Sequence, residues 1–246
     1  MIKLTNLSYI AFSVAVLASP AVGEPFDVPL QYCEALYSVQ KRQCEVEHVR
    51  KCSFEGQTYW HYETWDPEDG TFTEITNESG DIISAFGRED DIIIDSVIEI
   101  SDPLSIRSIL SNGEDSFDSR YNVRIPIFLD PIPSRMSGHA ISQNTSETID
   151  GVLFKRYRLS MKLQLNALIL EGYEDLYIDP ETEAVVSGEV EFSFDGGRTT
   201  DIEFTTPAEV ILEGESGFLA DLAFYDCGEM TALDEKSSEL AHARKN

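Results

Sequence analysis

Basic residues are scarce in this chain. Eighteen Lys and Arg stand against 45 Asp and Glu, a formal net charge of −27 at pH 7. A surface so charged repels phosphate backbones and anionic membranes, which excludes nucleic-acid binding and disfavours docking on an acidic lipid surface. After the first residues no segment is long and apolar enough to span a bilayer, which takes about 20 residues. Low-complexity linkers and repeats are lacking, so the chain reads as one folded unit. Enzyme signatures are missing too: there is no HExxH, GxSxG, P-loop or GxGxxG. The histidines, His48, His61, His139 and His242, fall in none of these motifs. Carboxylates are so abundant that no pair singles itself out as a hydrolytic centre. The expectation is therefore no enzyme, no cofactor and no metal. Asp66 with Glu68 and Asp69, and Glu89 with Asp90 and Asp91, read as solvated turns before cation sites.

What is present begins with a leader. Met1 to Lys3 is short and positive, Leu4 to Leu17 is mostly apolar and uncharged, and Ala18 to Gly23 is a small-residue stretch broken by Pro20. Ala21 and Gly23 sit at the minus-three and minus-one places of a cut before Glu24. This is the layout of a secretory signal peptide over residues 1–23. The expected mature chain, residues 24–246, is a single β-rich domain with a charge of 17 minus 45, or −28. Export to the periplasm or the cell exterior makes disulfides the default for Cys33, Cys44, Cys52 and Cys227, and there is no CxxC to suggest a metal instead. Any full pairing ties the N-terminal segment to Cys227. A loop of that length contributes roughly 5 kcal/mol in the chain-entropy view.

Pro29 to Cys44 reads as a helix or helical turn, from the near-helical spacing of Tyr32, Leu36, Val39 and Gln40 and the basic Lys41 and Arg42 near its end. In a continuous helix Cys33 and Cys44 lie three turns apart and cannot bond, which favours Cys52 or Cys227 as their partners. Thr58 to Trp65, Thr71 to Thr76, Asp81 to Phe86 and Ile92 to Ile100 read as short strands separated by turns. Pro103 to Leu110 reads as one short helix, capped by Ser101 or Asp102 and ended by Asn112-Gly113. Pro126 to His139 reads as an irregular apolar connection, with a lid over a concave face as the functional alternative.

The C-terminal half alternates with period two. One row is Leu153, Lys155, Tyr157, Leu159, Met161, Leu163 and Leu165. The next is Leu168, Leu170, Gly172, Glu174, Leu176 and Ile178. A third is Val186, Gly188, Val190, Phe192 and Phe194. A fourth runs from Thr200 through Ile202, Phe204, Thr206, Ala208 and Val210 to Leu212. Turns at Asp179 to Thr182 and Asp195 to Gly197 make these segments antiparallel neighbours, each with one apolar face. Arg156, Arg158 and Lys162 on one segment face Glu171, Asp175 and Asp179 on the next, so the basic cluster reads as cross-strand pairing. The fold class is mainly β: a curved antiparallel sheet, half-barrel or sandwich, with an N-terminal helix and one short helix.

Asp175-Leu-Tyr-Ile-Asp-Pro-Glu-Thr-Glu-Ala-Val-Val186, followed by a strand, Asp195-Gly-Gly197 and a further strand, resembles the C-terminal strands of LolA/LppX-like periplasmic lipoprotein-carrier domains. The resemblance covers about 60 residues. It implies a half-barrel lidded by helices that binds acyl chains or lipoproteins on its concave face, and it brings no catalytic residues. On that reading a lipid or other apolar molecule meets Trp60, Tyr62, Leu159, Met161, Phe192 and Phe204. The alternative is an envelope interaction or inhibitory protein with a closed β core, for which the −28 charge suggests a basic protein partner. Mass spectrometry of the exported protein is expected to find a chain starting at or near Glu24 and lacking four hydrogens; free thiols at all four cysteines would refute this.

Overall fold

The protein, seen in a computed structural model, is described over residues 26–67, 70–87, 93–124, 130–166, 168–194, 199–204 and 206–227; the side chains of 93–101, 124, 194 and 199–204 are outside that description. The leader, most of both acidic turns, His242, the apolar run 125–129 and the 195–198 turn lie outside the described residues.

The first strands are β1 (Cys33–Lys41), β2 (Glu45–Phe54), β3 (Gln57–Asp66), β4 (Gly70–Asn77), β5 (Ile82–Gly87) and β6 (Ile93–Asp102). Helix α1 (Ile106–Asn112) follows, then β7 (Glu114–Arg124), β8 (Ile132–Ile149), β9 (Val152–Leu165), β10 (Leu168–Ile178), β11 (Val185–Phe194), β12 (Thr199–Phe204) and β13 (Pro207–Leu212). Each strand from β1 to β12 pairs antiparallel with the next. Only β13 leaves this order, returning to pair with β1. Among the described residues the β5–β6 pairing is Ala85 with Ile94 and Phe86 with Ile93. The strands make two antiparallel sheets, taken here as β13 with β1–β5 and β6–β12, and do not close into a barrel.

Turn chemistry sets the tightest connections. Glu55 (φ 51°) and Gly56 (φ 80°) link the opposed Phe54 and Gln57, and Asp150 (φ 46°) and Gly151 (φ 90°) link Ile149 and Val152. Two successive residues with positive φ are what a two-residue hairpin needs to match strand twist. Gly138 and Gly172 mark a second demand. They lie in the cross-strand row Phe117, Gly138, Met161, Gly172, Phe192. A Cβ at 138 would collide with the Phe117 ring and the Ser160 carbonyl, and one at 172 with the Glu191 carbonyl. Glycine here lets the Phe117 and Phe192 rings lie over the backbone.

Several expectations need correction. Among the described residues no continuous helix covers Pro29 to Cys44: Leu30–Tyr32 makes a single 3-10 turn, and β1 begins at Cys33. Residues Tyr37 to Lys41 are buried on both faces, so alternation is hidden and the apolar spacing mimics a helix. The short helix is real but starts at Ile106. Ser105 caps it through its side chain, which accepts from Ser108 N, and Gly113 ends it in the left-handed region. The expected loop from Pro126 is strand from Ile132 onward, so Ile132 to His139 is no lid. The single segment Thr200 to Leu212 is two strands: β13 starts at Pro207, whose missing N–H suits a strand's first residue, and pairs on the opposite edge of the ladder.

The disulfides are Cys33–Cys52 and Cys44–Cys227. Both N-terminal cysteines take the partners expected, although no helix separates them. Cys33 and Cys52 stand opposite one another on β1 and β2. Cys44 fastens the β1–β2 turn to the irregular C-terminal strap, residues 213–227, which lies along the outer face of β1.

Two apolar clusters hold the sheets. In one, Tyr37, Val39, Val49, Trp60, Tyr62 and Val210 meet Ile149, Phe154, Tyr177 and Val186 across the sheet interface. The Phe154 ring stands edge-on to Tyr37 and to Tyr177, with centroids 6.2 and 6.4 Å away. In the other, Leu104, Ile106 and Ile109 of the α1 region cover Phe117, Ala140, Tyr157, Leu159, Leu176 and Ile178. Of the expected inward row, Tyr157 and Leu159 are buried, Met161 is half-buried, and Leu153 is exposed while Phe154 takes its place in the core. Truncating Phe154 to Ala is expected to cost about 3–5 kcal/mol in a urea titration. Phe192, half-buried, is expected to cost clearly less; equal losses would reject this arrangement.

Candidate functional site

The inward rows of the two sheets carry charge into the interior. On β1 the row Tyr37, Val39 ends in Lys41. On β2 its partners are Val49, Glu47 and Glu45. On β4 Glu74 continues the row Tyr37, Val49, Tyr62. From the second sheet comes Glu174, a member of the β10 row with Leu176 and Ile178. Lys41 Nζ lies 2.6 Å from Glu47 Oε2 and 3.8 Å from Glu45 Oε2. Ser187 Oγ on β11 donates to Glu174 Oε1 at 2.5 Å.

One ammonium thus faces several carboxylates in a poorly solvated space. Lys41 keeps its proton: burial opposes its charge, but Glu47 and Glu45 more than compensate, and its pKa rises. Burial pushes the Glu74 carboxyl up to about 8, with further repulsion from Glu174 and Glu47 against the pull of Lys41. Burial likewise raises Glu174, although the Ser187 hydroxyl and Lys41 oppose it. Glu74 and Glu174 each keep part of their surface accessible. Among the described residues no group of His, Cys, Asp and Glu converges closely enough to hold a metal ion.

A second polar array lies on the opposite face of β1 and β2. Ser38 Oγ is 2.9 Å from His48 Nδ1, and His48 Nε2 is 3.2 Å from Asp221 Oδ1. The carboxylate can only accept, so the neutral ring carries its proton on Nε2 and Nδ1 accepts from Ser38. Serine, histidine and aspartate in sequence resemble an acyl-transfer relay. Here Ser38 Oγ accepts from Leu219 N at 2.9 Å and is fully buried beneath the strap. No substrate carbonyl reaches it in this state, and the array acts as a fastening. Gln40 completes it, donating to Leu222 O and accepting from Phe224 N. His61, half of the same face, is buried as a packed residue, with its pKa lowered by burial and by Arg50.

The residues expected to bind an apolar ligand are divided. Trp60 and Tyr62 are buried in the first cluster, where Tyr62 Oη accepts from Val185 N at 3.2 Å. Leu159 and Met161 belong to the second, beneath α1. Phe192 lies beside Gly172, and the side chain of Phe204 lies outside the described residues. Two surface recesses are open. One of 440 Å³ is lined by Asp102, Asn112, Glu114, Asp115, Ser116 and His139. The other, 560 Å³, runs shallowly across β7–β10 past Phe117, Gly138, Met161 and Gly172. The cross-strand ion pairs form as expected: Asp175 accepts from Arg156 Nη2 and Arg158 Nε at 3.0 and 2.8 Å, and Lys162 meets Glu171 at 2.7 Å. Asp175 and Asp179, expected on a wet face, are buried; Asp179 is spent on its own turn, accepting from Glu181 N and Thr182 Oγ1.

Sequence reading placed Glu174 in an inward row but gave it no role, took Lys41 as a cation near a helix end, and passed over Glu47 and Glu74. The available signal was a charged residue at a period-two position between apolar ones.

Burial lowers the His48 pKa. The neutral ring is favoured in the native state, so this stabilisation is present above the unfolded value of about 6.5 and is lost as pH falls through the lower native value. The strap is expected to loosen in acid, seen as faster proteolysis within 213–227. Ser38→Ala leaves the buried His48 Nδ1 without its donor and frees Leu219 N, a loss of about 1–3 kcal/mol; unchanged stability in this variant would remove the fastening role. No family model, no curated protein and no solved structure matches this chain.

Proposed function

We propose that the protein is an exported, non-enzymatic binding protein that works through its outer surface on a basic protein partner, in the periplasm or outside the cell. The observation that carries this reading is the distribution of charge. The described cations are largely committed: Arg42 to Asp226, Arg50 to Glu63, Arg107 to Glu78 and Glu183, Arg135 to Asp118, Arg156 and Arg158 to Asp175, Lys162 to Glu171. With 45 acids against 18 bases, the charge left to face solvent is acidic. Such a field steers a cationic partner and repels anionic ones. Two disulfides support an oxidising compartment, and no described helix is long and apolar enough to cross a membrane.

The carrier reading suggested by the β10–β11 hairpin requires an unfilled apolar space. Aromatic rings occupy the sheet interface and α1 covers the second cluster, which favours a packed core over a ligand cavity. Two measurements separate the readings. Native mass spectrometry is expected to show the protein without lipid, and a fluorescent fatty-acid probe at micromolar concentration is expected not to saturate. Cross-linking in the exporting cell is expected to recover a basic protein whose binding weakens steeply with added salt. Co-purified lipid with saturable probe binding would replace this proposal with the carrier.

A further inference from the structure

We propose that the C-terminal strap is the surface on which the basic partner docks, with Leu219, flanked by Leu212 and Leu222, as the apolar anchor for a pocket rimmed by Lys and Arg. This rests on the surface-binding reading above and names its site. The strap reverses the usual direction of burial. Its main chain bonds to the sheet: Leu219 N donates to Ser38 Oγ, Leu222 O accepts from Gln40 Nε2, and Phe224 N donates to Gln40 Oε1. Asp221 adds its contact with His48 Nε2 at 3.2 Å. Its leucines stay in solvent: Leu219 is 38 % exposed and Leu222 43 %, while the small Ala223 is buried. A segment that only covered a sheet would lay its leucines inward to remove them from water. Here β1 and β2 offer it Ser38, Gln40 and His48, which take polar groups and leave the leucines outside.

The three leucines lie close together. Leu212 stands opposite Tyr37 across the β13–β1 pair, and the strap meets β1 at Ser38 for Leu219 and at Gln40 for Leu222. From Tyr37 to Gln40 the strand advances about 10 Å. Exposed leucines scattered singly need no explanation. These share one support fixed at both ends, by the β13 pairing before it and by the Cys44–Cys227 bond at its close. A support held in place beforehand lowers the ordering cost of binding.

Charge names the partner. Residues 207–227 carry five carboxylates, Glu209, Glu213, Glu215, Asp221 and Asp226, and no Lys, Arg or His. All but Glu209 are exposed. Arg42 reaches the strap from the β1–β2 turn and is taken by Asp226 at 3.1 Å. An apolar ridge set among carboxylates is repelled by anionic lipid and by a second copy of this acidic chain. It is attracted to a surface on which Lys and Arg surround an apolar pocket.

The test uses the full disulfide-bonded protein in the exporting cell. A photo-reactive residue replaces Leu219 and, for comparison, the exposed Ile169 on β10 in the other sheet. An adduct with one basic protein is expected from position 219 and not from 169. With that protein purified, Leu219→Gly is expected to weaken binding about tenfold or more. The urea midpoint of this variant is expected not to fall, because Leu219 has φ 54° and glycine suits that backbone. Glu213→Lys is expected to slow association, and added salt to weaken the wild-type complex. Adducts from 169 alone, or wild-type affinity in Leu219→Gly, overturn the strap as the docking surface and leave the basic-partner reading standing. An adduct at 219 with a second copy, a lipid or an acidic protein overturns the strap proposal as well. No adduct at either position overturns it too, and if cross-linking elsewhere on the protein also recovers no basic protein, the reading beneath it falls. Should Leu219→Gly destabilise the fold, Leu222→Ala on the same ridge decides by the same loss of affinity.

Discussion

Strand β1 is paired along both edges and covered on both faces, and the rest of the structure depends on that confinement. Its edges are taken by β2 and by the returning β13. Its inward residues Tyr37, Val39 and Lys41 reach the sheet interface, and its outward residues Ser38 and Gln40 hold the C-terminal strap. The Cys44–Cys227 bond then joins residues 183 apart in sequence. Constraining a loop of that length removes roughly 5 kcal/mol of unfolded-state freedom in the chain-entropy view. A meander whose ends are separately weak becomes one body because its last segments close on its first strand.

Polar groups are buried on both sides of β1, and they answer to pH in opposite directions. On the strap side the requirement is a neutral His48, which acid removes. In the interior burial raises the Glu74 and Glu174 carboxyls, and the stability tied to their protons falls as pH rises. The two effects oppose one another between about pH 4.5 and about pH 6.5, and above that window the Glu74 loss acts alone. This differs from an ordinary acidic protein, in which carboxylates are salt-bridged and acid alone is the threat.

Legibility in the sequence varied with the kind of burial. β3, β4, β5 and the β9–β11 meander were readable because aromatic and β-branched runs or clean alternation marked them. The pairing of Arg156 and Arg158 with Asp175 was readable because register fixes which charges meet across a hairpin. β1 was misread as helix because both its faces are buried and its period-two signal vanished. β7 and most of β8 were missed although Asp150-Gly151 is a strong hairpin signal; the polar residues before it carry no apolar row. The acid cluster was illegible as a cluster, since Lys41, Glu47, Glu74 and Glu174 come from four separate strands.

The sequence by itself determined the acidic surplus, the even set of cysteines, the β character and the antiparallel order of the C-terminal strands. These are local or additive properties: composition, alternation and turn residues act over a few positions and need no knowledge of distant partners. Only the tertiary structure decided that β13 leaves its neighbours to flank β1, that Cys33 takes Cys52 and Cys44 takes Cys227, and that Lys41 is buried against Glu47. Those outcomes depend on how two sheets stack. Stacking is set by the total apolar surface that each sheet must hide from water, a quantity that no short window of sequence contains.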